Sequence, residues 1–266
     1  MKSSVYRRDK ILEHLRIHTF VSVSQLAQEL GCSQMTVRRD LKRFESEGLL
    51  DISHGGAVAT DKVRLEFSLA ERSTSNVNEK NAIGRAAVEL VSSGDSVILG
   101  TGTTTLAMAR QLRHRNNITV VTTSLAVVAA LLPAEGVECM LLGGLVRDSS
   151  PDLYGPLLEE NLERIRPVWA FIGCDGLSLE AGLTASDPRI ARAPSIMLNN
   201  ASRTALLVDS TKAASDAFIS FARLKDIDYL ITDKGMPSEI VDAAADCGIE
   251  VLLVDPGLSS AESCGG

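Results

Sequence analysis

Val21-Ser22-Val23-Ser24-Gln25-Leu26-Ala27-Gln28-Glu29-Leu30-Gly31-Cys32-Ser33-Gln34-Met35-Thr36-Val37-Arg38-Arg39-Asp40-Leu41-Lys42-Arg43-Phe44-Glu45-Ser46-Glu47-Gly48 is the most informative stretch of the chain. Val23, Leu26, Ala27 and Leu30 repeat at i, i+3, i+4 and i+7, which predicts an amphipathic helix, and Gly31 closes it. Ser33 is a good N-cap for the next helix, in which Val37, Leu41 and Phe44 fall on one face. At about 100° per residue, Met35, Thr36, Arg38, Arg39, Lys42 and Arg43 fall on the other side, so four cations share one arc. Two short helices joined by a glycine turn, the second apolar inside and cationic outside, fit the major-groove reader of helix-turn-helix proteins. Gln34, Met35 and Thr36 are then placed for base edges, and Arg38, Arg39 and Lys42 for phosphates or guanine. A solvated face on a small helical bundle is the alternative that the arc alone leaves open.

Upstream, Ile11, Leu12 and Leu15 form another apolar stripe at helical spacing. Downstream, Gly48-Leu49-Leu50 starts a strand and Ser53-His54-Gly55-Gly56-Ala57 supplies a turn, which is the outline of a wing. Residues 1–60 are therefore expected to form a winged helix-turn-helix domain, and the polar stretch 61–78, interrupted by Leu65, Phe67 and Leu69, a linker. From Glu79 onward the pattern changes to a helix followed by a strand at Ser96–Leu99. Apolar runs then recur at Ile118–Val121, Cys139–Leu142, Val168–Ile172, Ala205–Val208, Tyr229–Thr232 and Val251–Val254, several separated by helix-length segments. This alternation predicts an α/β domain over residues 79–256 with a mostly parallel sheet and helices on both faces, followed by a tail at 257–266.

The chain has a formal charge of −7, but unevenly distributed. Residues 1–60 hold nine Lys/Arg against seven Asp/Glu, and residues 61–266 eighteen against twenty-seven, so only the N-terminal part suits phosphates. No apolar run reaches the roughly 18 residues that span a bilayer, and the N-terminus leads into a charged helix, so a cytoplasmic protein with no membrane partner is expected. Cys32, Cys139, Cys174, Cys247 and Cys264 are odd in number and contain no CxxC pair, which argues against a disulfide framework or a zinc knuckle. His14, His18 and His54 lie in the DNA-binding part and His114 stands between Arg113 and Arg115, so no triad or metal cluster can be assembled.

Gly100-Thr101-Gly102-Thr103-Thr104-Thr105 lies between a strand and a helix beginning near Leu106. Glycine-freed backbone N–H groups, threonine hydroxyls and a helix N-terminus together suit an anion, most readily phosphate. The loop lacks the Gly-Lys-Ser/Thr of a Walker A motif, and Thr105 replaces the third glycine of a dinucleotide fingerprint. A strand-to-helix turn that binds nothing is the bland alternative.

Ser22–Ala27, Ser33–Leu41 and His54–Ala57 together resemble the DeoR family of bacterial transcriptional regulators. The likeness continues through Glu66-Phe67, Arg72, Gly102–Thr104, Gly143-Gly144, Gly155-Pro156, Phe171–Gly173, Gly182–Thr184 and Asp209–Lys212. It implies a repressor of a sugar-catabolic operon, released from operator DNA by a small phosphorylated sugar, and a homo-oligomer, dimer or tetramer. Its C-terminal domain is expected to resemble ribose-5-phosphate isomerase. The DNA-binding residues implied are Ser33, Gln34, Met35, Thr36, Arg38, Arg39, Lys42, His54 and Gly55. The effector residues implied are Thr101, Gly102, Thr103, Thr104, Thr105, Thr122, Thr123, Ser124, Gly143, Gly144, Asp175 and Lys212, with no catalytic residue, cofactor or metal.

An isomerase is the rival reading, with Asp175 as the carboxylate for proton transfer. Against it, Asp175 lacks the neighbouring second acidic residue of the isomerases, and such an enzyme leaves residues 1–60 unexplained. The chain also departs from the family's usual pattern. Ile52 stands where the wing commonly has an arginine, Gly100 where an Asp is common, Thr123 where Asn is, and Ile190 and Pro194 where a Glu and a Lys are usual. Loss of that charged pair is expected to spare the phosphate loop and to change the sugar that is recognised.

Overall fold

The computed structural model of the chain describes residues 7–8, 10–11, 14, 20–46, 49–53, 55–59, 74–147 and 150–257. They fall into two units, Met1–Arg72 with Asp148–Ser150 in one and Ser73–Arg147 with Pro151–Gly266 in the other. His54, most of the linker, Leu12 and Leu15 lie outside the described residues, as does the tail from residue 258.

In the first unit, strand β1 (Phe20–Ser22) runs directly into helix α1 (Val23–Leu30), and Ser33 precedes helix α2 (Gln34–Ser46). The Ser33 hydroxyl accepts from the Thr36 amide at 3.2 Å, as an N-cap should. β2 (Leu50–Ser53) and β3 (Gly56–Ala59) form the antiparallel wing, with Ser53 opposite Gly56. The wing gains a third strand that periodicity did not reveal: β1 pairs with β3 through Val21 and Ala57. Three residues are too few to establish an alternation, and the pairing partner is remote in sequence. Ile11, Val23, Leu26, Leu30, Val37, Leu41, Phe44 and Leu50 close the core, so the apolar stripes read from the sequence meet one another.

The second unit begins with α3 (Val77–Glu89), two residues before Glu79. Alternating strands and helices follow: β4 (Ser96–Leu99), α4 (Thr103–Leu112), β5 (Ile118–Thr122), α5 (Leu125–Leu131) and β6 (Val137–Leu141). A small antiparallel pair, β7 (Leu145–Val146) and β8 (Leu153–Tyr154), leads to α6 (Pro156–Glu163) and β9 (Trp169–Ile172). Next come β10 (Gly176–Ser178), β11 (Gly182–Ala185), α7 (Pro188–Asn200) and β12 (Arg203–Leu207). β13 (Ile219–Ala222), β14 (Tyr229–Asp233), α8 (Ser238–Asp246) and β15 (Glu250–Val254) complete it.

Seven strands form one sheet in the order β15-β14-β12-β9-β4-β5-β6. Every pairing in it is parallel, as the apolar runs predict. Alternate residues feed two cores: Ile98, Val121, Ala170, Ile172, Leu206 and Leu230 on one face, and Val97, Leu99, Val120, Trp169, Phe171 and Ile231 on the other. β10, β11 and β13 form a separate antiparallel sheet. Its strands are short and two begin with glycine, so they do not stand out in the sequence.

Trp169, the chain's single tryptophan, sits in the central strand β9 at 1% exposure, with its ring 5.3 Å from those of Phe171 and Tyr229. Trp169→Ala empties that layer and is expected to cost the second unit about 3 to 5 kcal/mol. Chemical denaturation followed by circular dichroism measures the loss; a loss below about 1 kcal/mol contradicts this packing role.

Candidate DNA-contact face and anion-binding crevice

Helix α2 keeps Val37, Leu41 and Phe44 inward and exposes Gln34, Met35, Arg38, Arg39, Lys42 and Arg43. Asp40, beside the arc, is drawn off by Arg7, whose Nε donates at 2.6 Å and whose Nη2 donates at 3.4 Å. Arg7 is 8% exposed, so this fork is partly buried; the bond to Asp40 pushes the guanidinium pKa up. The pairing leaves the outward charge of α2 dominated by cations. Met35, 76% exposed, is an apolar projection at the start of the helix, beside Gln34. Glu45 accepts from the Ile52 amide at 3.2 Å and so ties α2 to the wing strand β2. Ile52 itself is exposed and offers the wing no charge.

In the second unit, strand order reverses between β4 and β9. The chain runs from β4 through β5 to β6 on one side, and from β9 through β12 and β14 to β15 on the other. Connections leaving the carboxyl ends of β4 and β9 therefore diverge, which opens a crevice at that edge. The expected effector residues follow the carboxyl ends of five strands: Thr101–Thr105 after β4, Thr122–Ser124 at β5, Gly143-Gly144 after β6, Asp175 after β9 and Lys212 after β12.

Gly102 has φ +127°, outside the range that L side chains favour, and this turn starts α4. The amides of Thr103, Thr104 and Thr105 form the first helical turn, whose donors a helix cannot satisfy from within. Thr101, Gly102 and Thr103 are partly exposed. Thr105 is wholly buried, and its hydroxyl donates to the Gly102 carbonyl at 2.9 Å, holding the loop in shape. Thr122 is likewise occupied: it donates to the Leu99 carbonyl at 3.0 Å and accepts from the Ser124 amide at 3.1 Å. The Thr123 hydroxyl is buried with no hydrogen-bond partner. Gly144 has a packing role, since an added Cβ there would lie 2.8 Å from the Tyr154 carbonyl oxygen.

Asp175 and Lys212 both act electrostatically on the Cys174 thiol. Burial, and then the charge of Asp175, push that thiol up to about 12 while Lys212 opposes them, so Cys174 is neutral at physiological pH. The Oδ2 of Asp175 accepts from the Ser186 amide at 2.8 Å. Lys212 ends a helical turn built on Asp209, a carboxylate 2% exposed that accepts from the Thr211 amide at 3.2 Å and from Asn76 Nδ2 at 3.2 Å.

One cluster was not foreseen. Arg147, just after β7, donates from Nε to Asp187 Oδ2 at 3.1 Å, and Arg189 donates from Nη2 to the same oxygen at 2.7 Å. Asp187 also caps α7 by accepting from the Arg189 amide at 2.9 Å. The hydrogen bond from Arg189 is the main reason that Asp187 is lowered to about 2, with the charge of Arg147 assisting against burial. Ile190 and Pro194 carry no charge, yet the start of α7 is charged through their neighbours. No local pattern announces this cluster, since Arg147 and Asp187 belong to different segments that meet only in the fold.

Comparison with known proteins agrees with both regions. Residues 7–63 match the DeoR-like helix-turn-helix domain, and residues 75–234 match the DeoR C terminal sensor domain. The chain is 34% identical over 250 residues to a putative aga operon transcriptional repressor of Escherichia coli O157:H7, covering 93% of each. It is 36% identical over 209 residues to the lactose phosphotransferase system repressor of Lactococcus lactis subsp. lactis, covering 77% of this chain and 82% of that one. Among solved structures, ribose 5-phosphate isomerase A from Methanocaldococcus jannaschii is similar at TM-score 0.40 and 22% identity, over 53% of this chain and 56% of that one. A likeness at that level carries no inference about chemistry.

Asp187 stays ionised in the folded protein well below its ordinary range, so the stability it contributes is complete above about pH 4 and is lost as pH falls through about 2. The contribution is about 2 kcal/mol. Denaturation measured between these pH values should show a fall in stability that Asp187→Asn reduces; an identical acid profile in the variant contradicts the pairing.

Proposed function

The chain belongs to the DeoR family of transcriptional regulators, and from that premise we propose that it represses a sugar-catabolic operon and releases its operator when it binds a phosphorylated sugar. The observation that carries this reading is the loop Thr101–Thr105, where glycine, threonines and first-turn amides meet at the sheet's switch-point crevice. A helix start there attracts an anion, and Lys212 adds a cation from the end of β12. The sugar ring is then held by polar groups at the neighbouring strand ends, among them Thr123, Ser124 and Asp175.

DNA is bound by α2. Gln34, Met35 and Thr36 read base edges, Arg38, Arg39 and Lys42 meet guanine or phosphates, and the wing around His54 and Gly55 follows the backbone. Two such helices reach successive major grooves about 34 Å apart, which requires a dimer or a larger even assembly. Asp175 serves binding without turnover: its Oδ2 is engaged by the Ser186 amide, and the relatives of known role are regulators. The protein acts in the cytoplasm, where the operator and phosphorylated sugars are found together.

Arg38→Ala and Arg39→Ala are each expected to weaken specific operator binding by about 1 to 3 kcal/mol where the arginine reads a guanine. Gel-shift titration against the region upstream of the protein's own gene measures this. Unchanged affinity in both variants overturns the docking of α2.

Calorimetry with glucose 6-phosphate, fructose 1-phosphate and the corresponding free sugars tests the effector half. Phosphate-dependent heat is expected, reduced by Thr103→Val and by Lys212→Ala. Equal binding of the free sugars, or indifference to both substitutions, overturns the phosphate assignment. Isomerisation of these compounds at about 1 per second or faster, abolished by Asp175→Asn, would establish an enzyme instead.

A further inference from the structure

We infer that the effector carries a second anionic group, a phosphate or a carboxylate, and that Arg189 receives it; the inference rests on the phosphate-loop reading above. Asp187 is a largely buried carboxylate, 12% exposed, to which two guanidiniums are bonded. Arg147 approaches from the end of β7 and is 13% exposed, whereas Arg189, at the start of α7, is 44% exposed. Arg189 therefore presents the outward side of the cluster.

Its orientation is fixed. Asp187 takes the Nε and Nη2 edge of Arg189, with Nε 3.1 Å from both carboxylate oxygens, and the guanidinium carbon lies 5.3 Å from the centre of the Tyr154 ring. The Nη1 edge takes no part in these bonds to Asp187, and the Tyr154 hydroxyl is a further hydrogen-bond partner of the guanidinium. A planar fork held by a carboxylate and by a tyrosine offers the donors that these two leave over without further loss of side-chain freedom, and suits a carboxylate or phosphate better than a neutral hydroxyl.

The cluster is joined to the crevice from two sides. Ser186, next to Asp187, donates its amide to Asp175 at the end of β9. The Arg147 amide donates to the carbonyl of Asp152 at 2.9 Å, and Asp152 bridges to Ser124 at the end of β5. Strand β4, with the Thr101–Thr105 loop, lies between β5 and β9 in the sheet. Cations are thus supplied at two places along the carboxyl edge of the sheet, by Lys212 after β12 and by the arginine cluster tied to the ends of β5 and β9, with Asp175 following β9. A ligand matching this pattern has an anion at each end and hydroxyl groups between, which describes sugar bisphosphates and phosphorylated sugar acids.

Isothermal titration of the full-length protein with fructose 1,6-bisphosphate and 6-phosphogluconate, against fructose 6-phosphate, glucose 6-phosphate and inorganic phosphate, tests this. At least one doubly anionic sugar is expected to bind about tenfold or more tightly than the monophosphates, the gain of one charge-assisted contact. Arg189→Gln should erase that advantage and leave monophosphate affinity within about twofold, while Arg189→Lys should keep part of it. Equal affinity of both classes for the unmodified protein, or an advantage that survives in Arg189→Gln, overturns the second anion site and leaves the phosphate loop standing. If no phosphorylated compound binds at all, the phosphate-loop reading fails and this inference fails with it.

Discussion

Parallel pairing forces each strand of the seven-stranded sheet to return to the same edge before the next begins, and the site depends on that constraint. All the connections that leave a strand emerge at the carboxyl edge, and all that enter one emerge at the other. With β4 and β9 adjacent at the point where the order reverses, their outgoing loops must part. Five groups of residues scattered from Thr101 to Lys212 are brought to a single edge by this geometry, although the groups are remote from one another in sequence. Burial on both faces makes the arrangement stiff: β9 reads Trp169-Ala170-Phe171-Ile172 and exposes none of its four side chains. The loops at its end are accordingly held by a rigid base, as ligand-binding loops require.

Much of this was legible, for identifiable reasons. Val23, Leu26, Ala27 and Leu30 declare α1 because a helix repeats its inner face at that spacing, and Ser33 declares the start of α2 because a cap is a local hydrogen bond. The Gly102 turn was readable because a strand, a glycine and a run of threonines before a helix describe a chemical object that needs no distant partner. Features that join remote segments were not legible. β1 becomes a strand only because β3 lies beside it, and the Arg147–Asp187 pair exists only after two hairpins have folded. The hydroxyls of Thr105 and Thr122 read from sequence as groups facing a ligand, whereas in the fold both donate to backbone carbonyls. Ile190 and Pro194 suggested a site short of charge, and Arg189, one residue away, supplies it.

Charge is managed by the same means in both units: a carboxylate is given to an arginine so that the remaining cations define the surface. Arg7 occupies Asp40 beside the outward face of α2, and Arg147 and Arg189 together occupy Asp187 at the start of α7. In each case the aspartate fixes a guanidinium in place. The net charge of −7 is thereby compatible with two surfaces suited to anions, one for a polymer of phosphates and one for a small ligand.

A regulator of this kind works only if the small ligand binds one state of the protein better than another, so that its affinity and the operator's affinity are linked. The most direct measurement is therefore the full cycle: operator affinity with and without saturating sugar phosphate, and sugar-phosphate affinity with and without operator. Both ratios are expected to be the same, at about 5- to 150-fold, each partner weakening the other. Two ratios of one, with both partners bound, would contradict this linkage.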